Sequence, residues 1–408
     1  MGLAKQASKI LYLEGVRGIC ASAVVFTHCI LCFYPALYYL VPEQSHMGGA
    51  RELSVGGSLW SLVLASNYAV PLLFVLSSYV LTYRYFRDRD AAVVRASAWR
   101  RYVRLVIPNA FSVLVCYVFM KLGWMYNLDA VAVTLSPWAG NCYNFSPDFL
   151  TALKQGLWDG FFTVIPAADF YNPATWTMLY EMGGSFFVFS FLLLFGRSPR
   201  RWIVYAVTLA LFGGSHFLAF IFGMMIADVR HSAYGRGFCT FLSRRSWLSL
   251  GLLALGFLFT GYFGDSRNIC SVVLERLGAA AGYPGYDLRI FYHDTGAALM
   301  LLGILFHASL QRFLHQRWLV FIGGISYSMY LIHMVLLCSV GCRVFLYFFR
   351  SGQTYSVSVL AAVAVCSVCI VAAAYGMMRL VDQPAIRLAR YLQRRFCAEA
   401  SDVGDKVR

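Results

Sequence analysis

The sequence predicts an all-α polytopic membrane protein of about ten transmembrane helices with both termini cytoplasmic, and three observations carry that prediction. First, the 408 residues are 60% hydrophobic, 17% aromatic and only 13% charged, where a soluble chain carries roughly a quarter charged residues. Second, apolar runs of about 20 residues recur from end to end, each long enough for a hydrocarbon layer ~30 Å thick. Third, the basic residues alternate from loop to loop. Segments 1–17, 84–104, 197–201, 229–246, 311–317 and 379–408 hold 26 of the 34 Lys and Arg, and the intervening loops hold eight. By the positive-inside rule the Lys/Arg-rich set faces the cytoplasm.

In chain order the expected spans fall near 12–37, 60–83, 102–124, 174–196, 202–213, 215–228, 247–263, 291–310, 318–342 and 355–380. The N-terminus shows no short apolar core followed by a small-residue cleavage site, so no removable signal peptide is expected. The fifth and sixth spans are short and parted only by Gly213, Gly214 and Ser215, as in a helical hairpin or one broken element. The stretch 125–173, rich in Trp, Tyr, Phe and Pro, is expected to fold back onto the outer mouth of the bundle. Residues 1–384 form one transmembrane domain on this reading. Residues 385–408 form a basic cytoplasmic tail whose "IRLARYLQRRF" reads as an amphipathic segment lying on the membrane surface. The net charge of +15 follows from the loop asymmetry and from contact with anionic lipid. It carries no nucleic-acid-binding context.

Twelve cysteines invite a metal reading, and spacing argues against it. Cys29-x-x-Cys32 and Cys366-x-x-Cys369 lie inside apolar runs without a second ligand pair, where thiols behave as small hydrophobes. No metal is expected. Cys142 and Cys270 lie in outward loops, where a disulfide is chemically permitted.

The first span, "LEGVRGICASAVVFTHCI", holds Glu14, Arg17 and His28. Ionisable groups at membrane depth are costly and face the bundle interior or an aqueous cavity. At 100° per residue, Arg17 and His28 differ by about 20° in direction and about 16 Å along the axis. Glu14 joins the same stripe within about 40°. Glu14 and Arg17, three apart, also have the spacing of a simple interfacial pair, which leaves His28 unexplained. Counting ~1.5 Å per residue along each span, His28, His333 in "SYSMYLIHM" and Glu181 in "WTMLYE" fall in one depth band. A histidine with a nearby carboxylate is the usual equipment of a general base. On the cytoplasmic side, "WRRYVRLVIP" presents Arg101 and Arg104 on one helix face, which suits phosphate groups as well as topology anchoring.

These residues carry a resemblance to the acyltransferase 3 family, spread over about 11–384. "LEGVRGICASAVVFTH" resembles the family's first helix, whose Arg-x10-His pattern falls on Arg17 and His28. "FVLSSYVLTYR" is similar to its FVLSGYL, with Ser78 in the glycine's place, and "RRYVRLVIP" to the arginine pair of its third helix. "WTMLYE" resembles WTL-x-x-E, "SYSMYLIH" resembles SY-x-x-YL-x-H, and "VDQPAIRL" resembles E-x-P with Asp382 for glutamate. The resemblance implies a multi-pass O-acyltransferase that moves an acyl group, commonly acetyl, from acyl-CoA to a hydroxyl. The implied acceptor is a carbohydrate such as a surface polysaccharide, or another surface, secreted or small-molecule acceptor. It implies His28, Arg17 and Glu181 as catalytic residues, Arg101, Arg104 and Arg17 at the acetyl-CoA, and Glu14, Trp176, Ser326, Tyr327 and His333 around the acceptor cavity. The membrane would be a bacterial inner membrane or a eukaryotic endomembrane. The alternative is a transporter or lipid-handling protein with the same cavity and no acyl transfer.

Overall fold

The computed structural model describes residues 10–48, 51–265, 267–281 and 287–406. Residues 1–9 of the expected cytoplasmic N-terminal segment and 407–408 of the tail lie outside that set. The described residues are helical, with no strand among them. Among the described residues, seven helical stretches are long and apolar enough to cross a membrane: Leu11–Phe33, Ala69–Asp88, Ala91–Lys121, Pro173–Phe195, Leu288–Phe306, Arg317–Arg350 and Tyr355–Arg395. The other three expected spans correspond to helices of 12, 15 and 15 residues. These are shorter than the ~20 residues a perpendicular crossing takes.

The helices that build the site are α1 (Leu11–Phe33), α2 (Ala69–Asp88), α3 (Ala91–Lys121), α4 (Thr177–Phe195), α5 (Arg201–Phe212), α6 (Phe217–His231), α7 (Ser246–Thr260), α8 (Leu288–Phe306) and α9 (Arg317–Leu336). Between helices in lipid there is little hydrophobic drive, so close approach over small residues does much of the packing. The α1–α9 crossing follows that rule. A Cβ on Gly323 would sit 2.0 Å from the Glu14 carbonyl oxygen, and one on Gly18 would sit 2.8 Å from that of Leu319. The obstacles are backbone, so neither helix yields by a rotamer change. Gly323→Ala is therefore expected to lower the unfolding midpoint of the detergent-solubilised protein sharply, at a cost of at least the ~1–3 kcal/mol of core overpacking.

The α2–α6 crossing shows how the chain accommodates Ser78 in place of glycine. Gly223 of α6 faces Val75, Ser78 and Tyr79 and supplies the missing room. The buried Ser78 hydroxyl donates across the interface to the Phe220 carbonyl at 2.5 Å. A possible misfit is thus a hydrogen-bonded contact.

The segment between α3 and α4 does fold back over the bundle. Asn127 Nδ2 donates to the Ala139 and Cys142 carbonyls, both at 2.8 Å, and ties this segment to itself. Ser136 Oγ donates to the Leu31 carbonyl of α1 at 2.6 Å, and Asn172 Nδ2 to the Leu331 carbonyl of α9 at 2.7 Å. Cys142 and Cys270 are free thiols rather than a disulfide, and Cys142 donates to the Trp138 carbonyl. After Tyr355–Met377 a π-helical turn leads into a last helix, Gln383–Lys406, which packs alongside α3.

Candidate active site

Three cavities follow one another along α1. The first, of about 170 Å³, is lined by Arg17, Arg101, Arg104, Glu181, Ser326 and Tyr327, with Ser77 and Tyr330 among its other walls. The second, about 460 Å³, shares Val70 and Tyr330 with the first and exposes His28, Trp176 and His216. The third, about 580 Å³, shares His28 and Trp176 with the second and is completed by Tyr39, Trp138, Phe170 and Met334. His28 is thus a wall of both inner cavities, and Arg17 marks the opposite end of the series.

The structure joins His28 to His333 rather than to a carboxylate. His28 Nδ1 lies 2.7 Å from His333 Nε2, with the two rings within 7° of parallel. His333 Nδ1 lies 2.7 Å from the Tyr330 carbonyl oxygen. A carbonyl only accepts, so His333 Nδ1 carries the hydrogen, and in the neutral pair His333 Nε2 accepts from His28 Nδ1–H. That arrangement leaves the lone pair of His28 on Nε2. Trp138 stacks on the His28 ring, centroids 4.9 Å apart, and fixes its plane. His333 is fully buried while His28 is half-buried, so one imidazole is a support and the other faces the cavities.

Glu181, expected beside His28, is committed elsewhere. It pairs with Arg101 and accepts from the Ser77 hydroxyl at 2.5 Å. The physical reason is axial position. Thr177, one turn before Glu181, bonds the Tyr330 hydroxyl at 3.1 Å and so sets the level of Tyr330. Glu181 lies about 6 Å from that level toward the arginine end, and His333 about 4.5 Å from it the other way. Some 10 Å separates the acid from the imidazoles.

Arg101 is buried, with Nε lacking a hydrogen-bond partner among the described residues, whereas Arg104 is exposed at the rim of the first cavity. Arg17 lines the same cavity and also meets Glu14, Nη1 to Oε1 3.3 Å. Its cavity and pairing roles therefore coexist. Ser326 Oγ donates to the Gly323 carbonyl within α9, and the Tyr327 hydroxyl to the Leu105 carbonyl of α3 at 3.1 Å. Both residues hold the wall of the first cavity, so they stand on the arginine side of His28. Trp176 bridges the second and third cavities.

Sequence reasoning missed Trp138, Tyr330, His216 and Asp294. Ser136-Pro137 is a helix-start signal, with Ser136 Oγ capping Ala139 N at 3.1 Å, but nothing in it points to His28. Asp294 was accessible by the rule that singled out Glu181, being an acid within an apolar run.

A family model described as "Acyltransferase domain" matches residues 10–377. The chain is similar to the O-acetyltransferase PaAT-1 of Phomopsis amygdali, 24% identical over 381 residues, which is 81% of this chain and 72% of that one. No solved structure matches.

Proposed function

Since the chain belongs to this family of acyltransferases and is a multi-pass membrane protein, we propose that it is an O-acetyltransferase using acetyl-CoA and a hydroxylated acceptor. On this reading residues 1–384 form the catalytic unit, the chain spans the membrane ten times, and both ends face the cytoplasm. The basic residues of 385–408 lie on the cytoplasmic surface of the membrane. The observation that carries the reading is His28. It lines the second and third cavities, and its hydrogen bond to His333 leaves Nε2 as its basic nitrogen.

The chemistry follows from the two ends of the donor. Acetyl-CoA has a polyanionic nucleotide and a thin pantetheine arm. Arg104 and Arg17 are placed to meet phosphates, and Arg101, locked by Glu181, adds positive charge to the same wall. The arm passes Tyr330 and brings the thioester to His28. His28 Nε2 takes the acceptor's hydroxyl proton, the oxygen bonds to the carbonyl carbon, and the C–S bond breaks toward sulfur. His333 accepts the His28 Nδ1 proton throughout and keeps Nε2 aimed. Trp176, Trp138 and the third cavity hold the acceptor, whether a carbohydrate or a smaller hydroxylated molecule.

Purified protein with acetyl-labelled acetyl-CoA tests this. Release of CoA, with label passing to water or to a supplied alcohol, is the expected result. A transporter or lipid-handling protein gives neither. Label retained on the protein after a rapid denaturing quench at neutral pH, and lost on acidification, indicates an acetyl-histidine intermediate in place of direct transfer. Arg104→Ala is the clean donor-site variant because it is exposed. It should raise the KM for acetyl-CoA by about tenfold, the effect of losing one charge-assisted contact of ~1.5 kcal/mol. An unchanged KM would make Arg104 a topology anchor.

A further inference from the structure

The second cavity holds another histidine that the mechanism above does not use. His216 follows the Gly213-Gly214-Ser215 break and immediately precedes α6. Its Nδ1 lies 3.4 Å from Oδ1 of Asp294 on α8. Phe74, Trp176 and Tyr180 surround the ring, with centroids 5.7, 5.7 and 5.0 Å away. Asp294 is fully buried, and its Oδ2 has no hydrogen-bond partner among the described residues. A carboxylate in the apolar layer is expensive and is kept where it serves a site. Here it faces a histidine that lines the same cavity as His28.

We propose that His216, oriented by Asp294, is the general acid of the acetyl transfer and protonates the departing CoA sulfur. The inference rests on the acetyl-transfer reading above. Deprotonation of the acceptor by His28 leaves the sulfur, after C–S cleavage, holding the bond's electron pair. His216 Nε2–H gives it the proton while Asp294 accepts Nδ1–H and stabilises the imidazolium beforehand. One proton has left the acceptor and one has reached the thiol. Transfer from His28 back to His216 through cavity water resets the pair, so the turnover needs no outside acid. His28 and His216 have different ring partners, a neutral imidazole and a carboxylate. Unlike environments of this kind are how one site assigns base and acid to two similar groups.

The other ionisable groups facing His216 are those of the same cavity: Asp287, Arg289 and His293 from α8 and the turn before it, Tyr38, Tyr330 and His28, with Tyr180 from α4. His293 Nε2 lies 2.7 Å from the Tyr262 carbonyl oxygen. A carbonyl only accepts, so this nitrogen is a committed donor. His293 is thereby engaged through Nε2, whereas His216, which lines the same cavity, is engaged through Nδ1 among the described residues.

The test compares wild type, His28→Ala, His216→Gln and Asp294→Asn in detergent, measuring acetyl-CoA binding and the pH profile of kcat over the range where imidazole titrates. His216→Gln should lower kcat about 100-fold. It should leave acetyl-CoA affinity within about threefold, because the arginine-lined cavity is untouched, and should remove the alkaline fall of the profile. Asp294→Asn should lose less and shift that alkaline fall to lower pH, since the imidazolium loses its carboxylate. A His216→Gln enzyme with wild-type kcat and an intact alkaline limb overturns the inference. A variant that loses acetyl-CoA binding along with turnover also overturns it, because the couple is then structural. Absence of transfer by wild type itself is a different outcome and removes the acetyltransferase reading.

Discussion

His28→Ala is expected to abolish acetyl transfer, by 10²–10⁴-fold, the range typical for loss of a general base, while expression, membrane insertion and acetyl-CoA binding persist. Persistence is expected because the ring is half-buried and cavity-facing, and its truncation leaves the α1–α9 glycine crossing intact. His28→Gln refines the result, because its amide keeps a donor toward His333 but supplies no basic nitrogen. If the base role is right, Gln is no better than Ala. Retention of more than about a tenth of wild-type transfer in His28→Ala is incompatible with that role. His333→Gln should fall between wild type and His28→Ala, since it removes the acceptor that aims the base rather than the base.

The second large effect is expected at Arg17. Its guanidinium borders the first cavity, three turns of α1 from His28 on nearly the same face, and lies 3.3 Å from Glu14. If it grips the donor, lysine retains charge but loses the planar fork that holds a phosphate at two points. Arg17→Lys is then strongly impaired and Arg17→Ala nearly inactive, with donor KM raised in both. If the Glu14 contact is its whole purpose, the exchange Glu14→Arg with Arg17→Glu restores much of the lost transfer. The donor account predicts that the exchanged protein stays inactive, because the cation moves three residues and leaves the line to His28. Arg101 is a poorer probe than it looked from sequence. Its truncation strands Glu181, and breaking a buried pair costs about 3–5 kcal/mol, so misfolding would mask any donor effect.

Much of this arrangement was legible because ionisable residues in lipid-spanning segments are rare and periodicity places them. The stripe on α1 and the shared depth of His28 and His333 came from counting residues along helices, and in the structure the two rings meet. The same counting failed for Glu181. It takes each apolar run to start at one membrane plane, whereas the α4 run starts with Pro173–Trp176 held down by Asn172 on α9. Glu181 then falls about 10 Å from the imidazoles along the helix axes, beside Arg101. Partners such as Trp138, and the His216–Asp294 couple, join segments 110 and 78 residues apart. Helical periodicity says which face a residue occupies and nothing about which neighbour comes to that face. The shortness of α5 and α6 was plain in the sequence, and that of α7 was not. Their apolar stretches of 12 and 15 residues do not by length alone distinguish a crossing from a buried helix.

The most direct test of the central claim, that the donor's arm runs from the arginine end to His28, is a cryo-EM map of the protein with a non-hydrolysable acetyl-CoA analogue. The account predicts the phosphates against Arg104 and Arg17, the arm past Tyr330, and the acyl carbon in the second cavity. That places it on the His28 side, where an acceptor oxygen bonded to Nε2 comes within the ~3–3.5 Å of a near-attack arrangement. A nucleotide seated in the third cavity among Tyr39, Trp138 and Phe170, or an acyl group stopped beside Glu181 in the first, would contradict it.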